Sequence, residues 1–241
     1  MPELSVVVPV HNEAGNIVPL VAEIETALGL NVDFEIVFID DGSSDAGPEE
    51  LALARRNHPR LKVIRHHVQC GQSAALWTGV AVSRSPWIAT LDGDGQNDPT
   101  DILSLVRTRD ESDDPNLQMV TGVRRKRRDN LLKRLSSQIA NGVRRRVLRD
   151  GITDTGCGLK LFKREAFLAL PFFDHMHRFL PALIQRGGGT VLEVPVNHRP
   201  RLSGVSNYGV INRAWTGVVD TLGVAWLQRR MKIPIVERMD E

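Results

Sequence analysis

The feature that most constrains this chain is a rhythm. Through its first half, short apolar runs alternate with segments whose apolar residues recur every three or four positions. "LSVVVPV" (4–10) leads to a stretch near Ile17–Leu28, where Ile17, Leu20, Val21, Ile24 and Leu28 share one helical face. "FEIVFID" (34–40) is followed by a helix near Pro48–Arg56, with Pro48 suited to a first helical turn. "LKVIRH" (61–66), "WIATLD" (87–92) and "LQMVTGV" (117–123) continue the series, with helices expected around Ser73–Val82 and Thr100–Arg109. Apolar strands joined by helices call for right-handed crossovers and a mainly parallel sheet with helices on it. Such sheets bind ligands beyond the carboxyl ends of their strands. Here those ends read "PVHNE", "DDGSSD" and "LDGDGQ". Polar and acidic groups gather on one edge.

The last of these ends, "LDGDGQNDP" (91–99), places Asp92, Asp94 and Gln96 at alternate positions just past an apolar strand. Carboxylates are costly to desolvate without a cation or donors to meet them. An EF-hand does not account for them, because its sixth and twelfth positions would be Asn97 and Leu103 instead of Gly and Glu. Phosphatases with an aspartyl nucleophile carry D-x-D on their first strand, whereas this motif follows the fourth. A turn built from Asp and Gly is the plain alternative. The remaining reading is a divalent ion, Mg²⁺ or Mn²⁺, on hard oxygen ligands, with open positions for the phosphates of a nucleotide. "VVVPVHNEAGN" lacks the dinucleotide fingerprint and "FIDDGSSD" lacks a P-loop lysine. Asn12, Ser43 and Ser44 could cap helices, and Asp41 could accept from a base N–H or a ribose hydroxyl.

Charge is unevenly spread. Eleven Lys/Arg against one acid, Asp129, fall between Val123 and Arg149, a local charge of +10 in a chain whose total is +2. Such a block meets an anionic partner or forms a solvated face. It contains no aromatic residue, so base stacking and a nucleic-acid partner are disfavoured. Leu131, Leu135, Ile139, Val143 and Val147 recur every four residues within Asn130–Leu148, which reads as an amphipathic helix with Arg and Lys opposite. Cys70 and Cys157 lack metal-ligand spacing and read as reduced thiols of a cytosolic protein. His175 and His177 have no third ligand in view and read as ordinary core or surface histidines. No apolar stretch reaches the roughly 20 residues that span a bilayer, and the start of the chain is unlike a signal peptide. The organisation expected is one domain over 1–209 and a helical tail over 210–241. In that tail Trp215, Val218, Val219, Leu222 and Trp226 share a side. This side could lie on a membrane, form a homo-oligomer interface or pack on the domain.

"VVVPVHNE", "FIDDGSSD", "GQSAALWTG" and "LDGDGQNDP", in this order and spacing, resemble glycosyltransferase family 2, and within it the polyprenyl-phosphate sugar transferases of the dolichol-phosphate mannosyltransferase type. The similarity runs from about Leu4 to Tyr208. It implies an α/β GT-A fold, a nucleoside-diphosphate-sugar donor and inverting transfer to a polyprenyl phosphate at the cytoplasmic membrane face. Carried over by residue, Pro9, His11 and Glu13 border the nucleoside and Asp41 meets base or ribose. Asp92, Gly93, Asp94 and Gln96 surround metal and diphosphate. Arg124 and Arg201 face phosphates, Arg134 and Ser136 meet the lipid phosphate, and Asp154 borders the acceptor side, orienting the nucleophile or buttressing arginines. Asp94, Asp154, Arg124 and Arg201 are thus the catalytic candidates. Asn207 stands where the family carries Lys, and Gln69 where it carries Asn, which puts donor handling in doubt at those positions. Membrane contact is expected to be peripheral or supplied by a separate membrane protein. The competing readings are a nucleotidyltransferase, disfavoured by the absence of a basic residue from "PVHNEAGN", and a non-catalytic sugar-nucleotide-binding module.

Overall fold

The structure, a computed structural model, describes residues 1–124, 142, 144–200 and 210–230, with the side chains of the last helix from Thr216 onward. The strands are β1 (Leu4–Val10), β2 (Phe34–Asp40), β3 (Leu61–Arg65), β4 (Trp87–Thr90), β5 (Leu117–Arg124), β6 (Lys160–Lys163) and β7 (Thr190–Val196). The helices are α1 (Ile17–Leu28), α2 (Gly47–Asn57), α3 (Gln72–Val82), α4 (Asp101–Asp110), α5 (Arg164–Leu168), α6 (Leu180–Arg186) and α7 (Val210–Arg230).

The strands form one sheet in the order β3-β2-β1-β4-β6-β5-β7. β1, β2, β3 and β4 are mutually parallel, and β5 is parallel to β7. β6 runs antiparallel to both its neighbours, β4 and β5. Strand residues divide alternately between two cores, as the two-residue period of a strand requires. Val6, Val8, Ile36 and Phe38 face α1, α2 and α4, whereas Val7, Val37 and Ile39 face α3, α5 and α6. Both faces are covered, which is why β1 and β2 read as unbroken apolar runs. After β3 the chain returns past β1 to build β4, so the strand order reverses between β1 and β4. A crevice opens at such a switch point, outside the carboxyl ends.

The expected helices and strands of the first half are found to within a residue or two. Most of the expected Asn130–Leu148 helix lies outside the described residues, and in the tail helix the expected apolar side faces outward. At residues 144–148, Leu148 is buried whereas Val147 is 40% exposed, and Arg144 is nearly as buried as Leu148. The guanidinium of Arg144 turns inward because Asp150 and the Ile152 carbonyl receive it, which rotates the helical turn away from the every-four pattern. In α7, Val218, Val219, Leu222 and Trp226 stand at least half exposed, while Val224 is buried and Ala225 and Leu227 pack beside it on the core around α6. Gln228 fixes this docking: its carbonyl accepts from Arg186 Nε at 2.5 Å. Among the described residues no helix is long and apolar enough to cross a membrane.

Candidate active site

The loops leaving β1 and β2 are laced together at the carboxyl edge. Asn12 takes a left-handed backbone, φ 56°, which this residue type tolerates. Its Oδ1 accepts the Ser44 N–H at 2.8 Å, and its own N–H donates to Ser43 Oγ at 3.0 Å. Asn12, Ser43 and Ser44 therefore tie loop to loop, and none of them caps a helix. His11 Nδ1 lies 2.8 Å from the Asp41 carbonyl, and Glu13 accepts from Asn16 Nδ2 at 2.8 Å. Asp41 is held from within the protein. It is 3% exposed, and its carboxylate accepts the N–H groups of Gly71 at 2.7 Å and Cys70 at 2.8 Å, with His66 Nδ1 also at 2.8 Å. The ligand atoms of Asp41, His66 and Cys70 gather within 4.8 Å. The group is a hydrogen-bonded clamp, since His66 also engages Thr78 Oγ1 through Nε2. It pins the start of α3 beneath the site.

Beyond β4, residues 91–99 alternate between buried and half-buried, so Asp92, Asp94 and Gln96 come to one open face. Asp92 Oδ1 accepts from Gln72 Nε2 at 3.0 Å, at the first turn of α3. Burial pushes the Asp92 carboxyl above its ordinary range, and the neighbouring Asp94 charge pushes it further. A methyl group at Gly158 would overlap the Asp92 carboxylate, and one at Gly93 would overlap Val10. Both glycines are close-approach positions. Asp94 Oδ1 accepts the Gln96 N–H at 3.1 Å. The Gln96 amide is turned aside, its Nε2 donating to the Arg199 carbonyl at 3.4 Å.

The same loop is stitched to the chain leaving β7. Asn97 Oδ1 accepts the Asp92 N–H at 3.1 Å, Asn97 pairs with His198, and the Arg199 N–H donates to the Gln96 carbonyl at 2.9 Å. Asp101, at the start of α4, accepts the Asn197 N–H at 2.7 Å. Arg201 and Asn207, like Arg134 and Ser136, lie outside the described residues.

Arg124 ends β5 and is paired bidentately with Asp154, Nε and Nη2 each at 2.7 Å from a carboxylate oxygen. Such fork-on-fork pairs fix orientation as well as energy. Asp154 therefore buttresses an arginine. Lys160, absent from the sequence expectations, also reaches this edge. Because β6 is antiparallel to β4, its first residue pairs with Thr90, the last of β4. A parallel strand would have put that lysine at the opposite edge. His177 is half-buried against Ser73, with Nδ1 at 2.8 Å from Ser73 Oγ, while His175 pairs with Asp220 of α7. Neither histidine belongs to a metal cluster among the described residues.

Two acids on one face, with the first desolvated and repelled by the second, form a hard-oxygen donor set that a divalent cation would relieve. The residues fit such an ion.

Glycosyl transferase family 2 matches residues 5–170, a span holding every loop of this edge as far as Lys160. The chain belongs to this family. It is 35% identical over 235 residues to the dodecaprenyl-phosphate galacturonate synthase of Rhizobium johnstonii, covering 94% of this chain and 68% of that protein. It is 31% identical over 210 residues to the undecaprenyl-phosphate 4-deoxy-4-formamido-L-arabinose transferase of Edwardsiella ictaluri, covering 86% of this chain and 63% of the relative. Among solved structures, glucosyl-3-phosphoglycerate synthase from Mycobacterium tuberculosis in complex with Mn²⁺, UDP-glucose and phosphoglyceric acid superposes with a TM-score of 0.73 at 17% identity. That match covers 93% of this chain and 80% of the other. The same enzyme with UDP alone gives 0.72. The fold of this family 2 glycosyltransferase is therefore the α/β GT-A arrangement.

Proposed function

We propose that this glycosyltransferase moves a sugar, with inversion, from a nucleoside diphosphate to a polyprenyl phosphate at the cytoplasmic face of a membrane, on which it sits peripherally. The observation that carries this reading is the pair Asp92–Asp94, at the β1/β4 switch point, close to the buttressed Arg124. The polyprenyl acceptor is supported by both relatives, each named for a polyprenyl phosphate. The sugars in those names differ, so they leave the donor sugar open.

In the reaction the C1–O bond to the donor β-phosphate breaks while an acceptor phosphate oxygen bonds to C1 from the opposite face. The electron pair leaves on the nucleoside diphosphate. A divalent ion held by Asp92 and Asp94, Mg²⁺ or Mn²⁺, supplies positive charge to that leaving group. Structures of the M. tuberculosis synthase contain each of these ions. Arg124 spends Nε and Nη2 on Asp154, and its Nη1 edge serves a phosphate oxygen. His11 and Glu13 border the nucleoside above β1 and β2. No side chain has to remove a proton, since a phosphate monoester with a second pKa of about 6 is already anionic near neutrality. What the acceptor requires is cations that hold two phosphates close, and the basic block 123–149 provides them.

Protein incubated with Mn²⁺, radiolabelled sugar nucleotides and undecaprenyl phosphate is expected to give label extractable into organic solvent, dependent on the lipid. Water-soluble labelled product alone, across the donor panel, would overturn the acceptor assignment.

A further inference from the structure

A small pocket of about 80 Å³ lies beside Asp92, between the ends of β1 and β4 and the start of β6, with Pro9 and Gln72 on its nucleoside side. Its walls include Asp92, Gly156, Gly158, Lys160, His177 and Arg178. The sheet order says which part of a donor reaches it. If the nucleoside lies over β2 and β1 and the diphosphate meets Asp92 beyond β4, the next strand in line is β6, which begins at Lys160. What hangs from the far phosphate of the donor is its sugar.

The pocket wall carries two cations, Lys160 and Arg178, beside one acid, Asp92. Lys160 is 5% exposed, and among the described residues it makes one hydrogen bond, to the Cys157 carbonyl. An ammonium has three protons to donate, so Lys160 can serve a further acceptor beside the Cys157 carbonyl. Of the acids in its field, Asp154 is paired with Arg124, and Asp92 shares the pocket wall with Lys160. His177 adds a neutral donor. Ser73 Oγ accepts the His177 backbone N–H at 3.4 Å and lies 2.8 Å from the ring Nδ1, which holds the imidazole in place at the pocket wall. Burial holds the His177 imidazole well below its ordinary range, with the positive charges of Arg178 and Lys160 acting in the same direction. Burial likewise pulls the Lys160 ammonium down. Counting a water as roughly 30 Å³, the space holds two or three waters, or one substituent of a hexose of similar bulk.

We propose that this pocket takes one substituent of the donor's sugar and that Lys160 reads it as an anionic group, the carboxylate of a hexuronic acid. This rests on the donor reading given under Proposed function and names the class of sugar.

The test compares donors in matched pairs by calorimetry with Mn²⁺: UDP-glucuronate with UDP-glucose, UDP-galacturonate with UDP-galactose, and GDP-mannuronate with GDP-mannose. UDP and GDP alone serve as references. The wild-type protein is expected to bind one uronate about tenfold or more tighter than its neutral partner, the scale of one charge-assisted hydrogen bond. Lys160→Met is expected to bring that ratio within about twofold while the nucleoside diphosphate itself binds as before. Equal affinities in every pair, with UDP or GDP binding well, would overturn the inference and leave the transferase reading standing. Failure of both nucleoside diphosphates to bind would overturn both. Loss of nucleoside diphosphate binding in folded Lys160→Met would make the lysine merely structural and overturn its reading role. The wild-type comparison stands without the variant, so poor folding of Lys160→Met does not shelter the proposal.

Discussion

Asp154 and Gly158 show how much single residues decide at this site. Removing Asp154 leaves Arg124 as a largely buried cation without its bidentate partner, and such half-broken pairs cost about 3–5 kcal/mol. Asp154→Ala is expected to lose roughly 3 kcal/mol in urea unfolding and about 100-fold in transfer rate. A variant with full activity would show that Arg124 needs no buttress. Gly158→Ala is the complementary probe. Its methyl group would take the space of the Asp92 carboxylate, so Mn²⁺-dependent donor binding is expected to fall about tenfold or more while the fold survives. Calorimetry with and without Mn²⁺ reads this directly. At this scale the sequence was informative where a motif was contiguous, as in "LDGDGQ". It was blind where partners meet through the fold. Nothing local reveals that Gly71, Cys70 and His66 converge on Asp41, and Lys160 was overlooked because its place depends on strand direction.

Elements carry the next level of the account. β2 holds Glu35, 6% exposed, which accepts from Ser5 of β1 and from Lys62 of β3 as well as from the Arg84 N–H. Burial alone would raise its pKa, but these hydrogen bonds outweigh burial and set it below the ordinary 4.5. A carboxyl lowered on folding contributes stability that is complete above its unfolded pKa and is lost as pH falls through the folded one. Wild type is therefore expected to lose stability below about pH 4.5 more steeply than Glu35→Gln, with Glu35→Gln about 1–3 kcal/mol weaker at pH 7. Parallel acid limbs in pH-dependent urea unfolding would contradict this. The β/α rhythm was legible because strands covered on both faces must be apolar throughout. Amphipathic faces were less so. Arg144 turned inward once Asp150, six residues away, offered it a charge, and α7 docked through Val224 and Gln228 instead of its most apolar stripe.

Taken whole, the described molecule has an acidic loop beyond β4 and, in α7, a helix whose outer stripe is apolar. Val218, Val219, Leu222 and Trp226 remain outward after α7 has packed on the core, which suits contact with a lipid surface. The double variant Leu222→Ser, Trp226→Ser is expected to lose about tenfold in binding to anionic phospholipid vesicles, while donor binding in solution is unchanged. Unaltered sedimentation with vesicles would remove α7 from the membrane contact. The central claim, however, is chemical: two carboxylates beyond β4 hold a divalent ion that grips the diphosphate. Titrating the nucleoside diphosphate that the wild-type protein binds, with and without Mn²⁺, into wild type and Asp94→Ala tests it most directly. Binding should be strongly Mn²⁺-dependent in the wild type and at least about tenfold weaker in the variant. Equal affinity in both proteins, or binding indifferent to the metal, would contradict it.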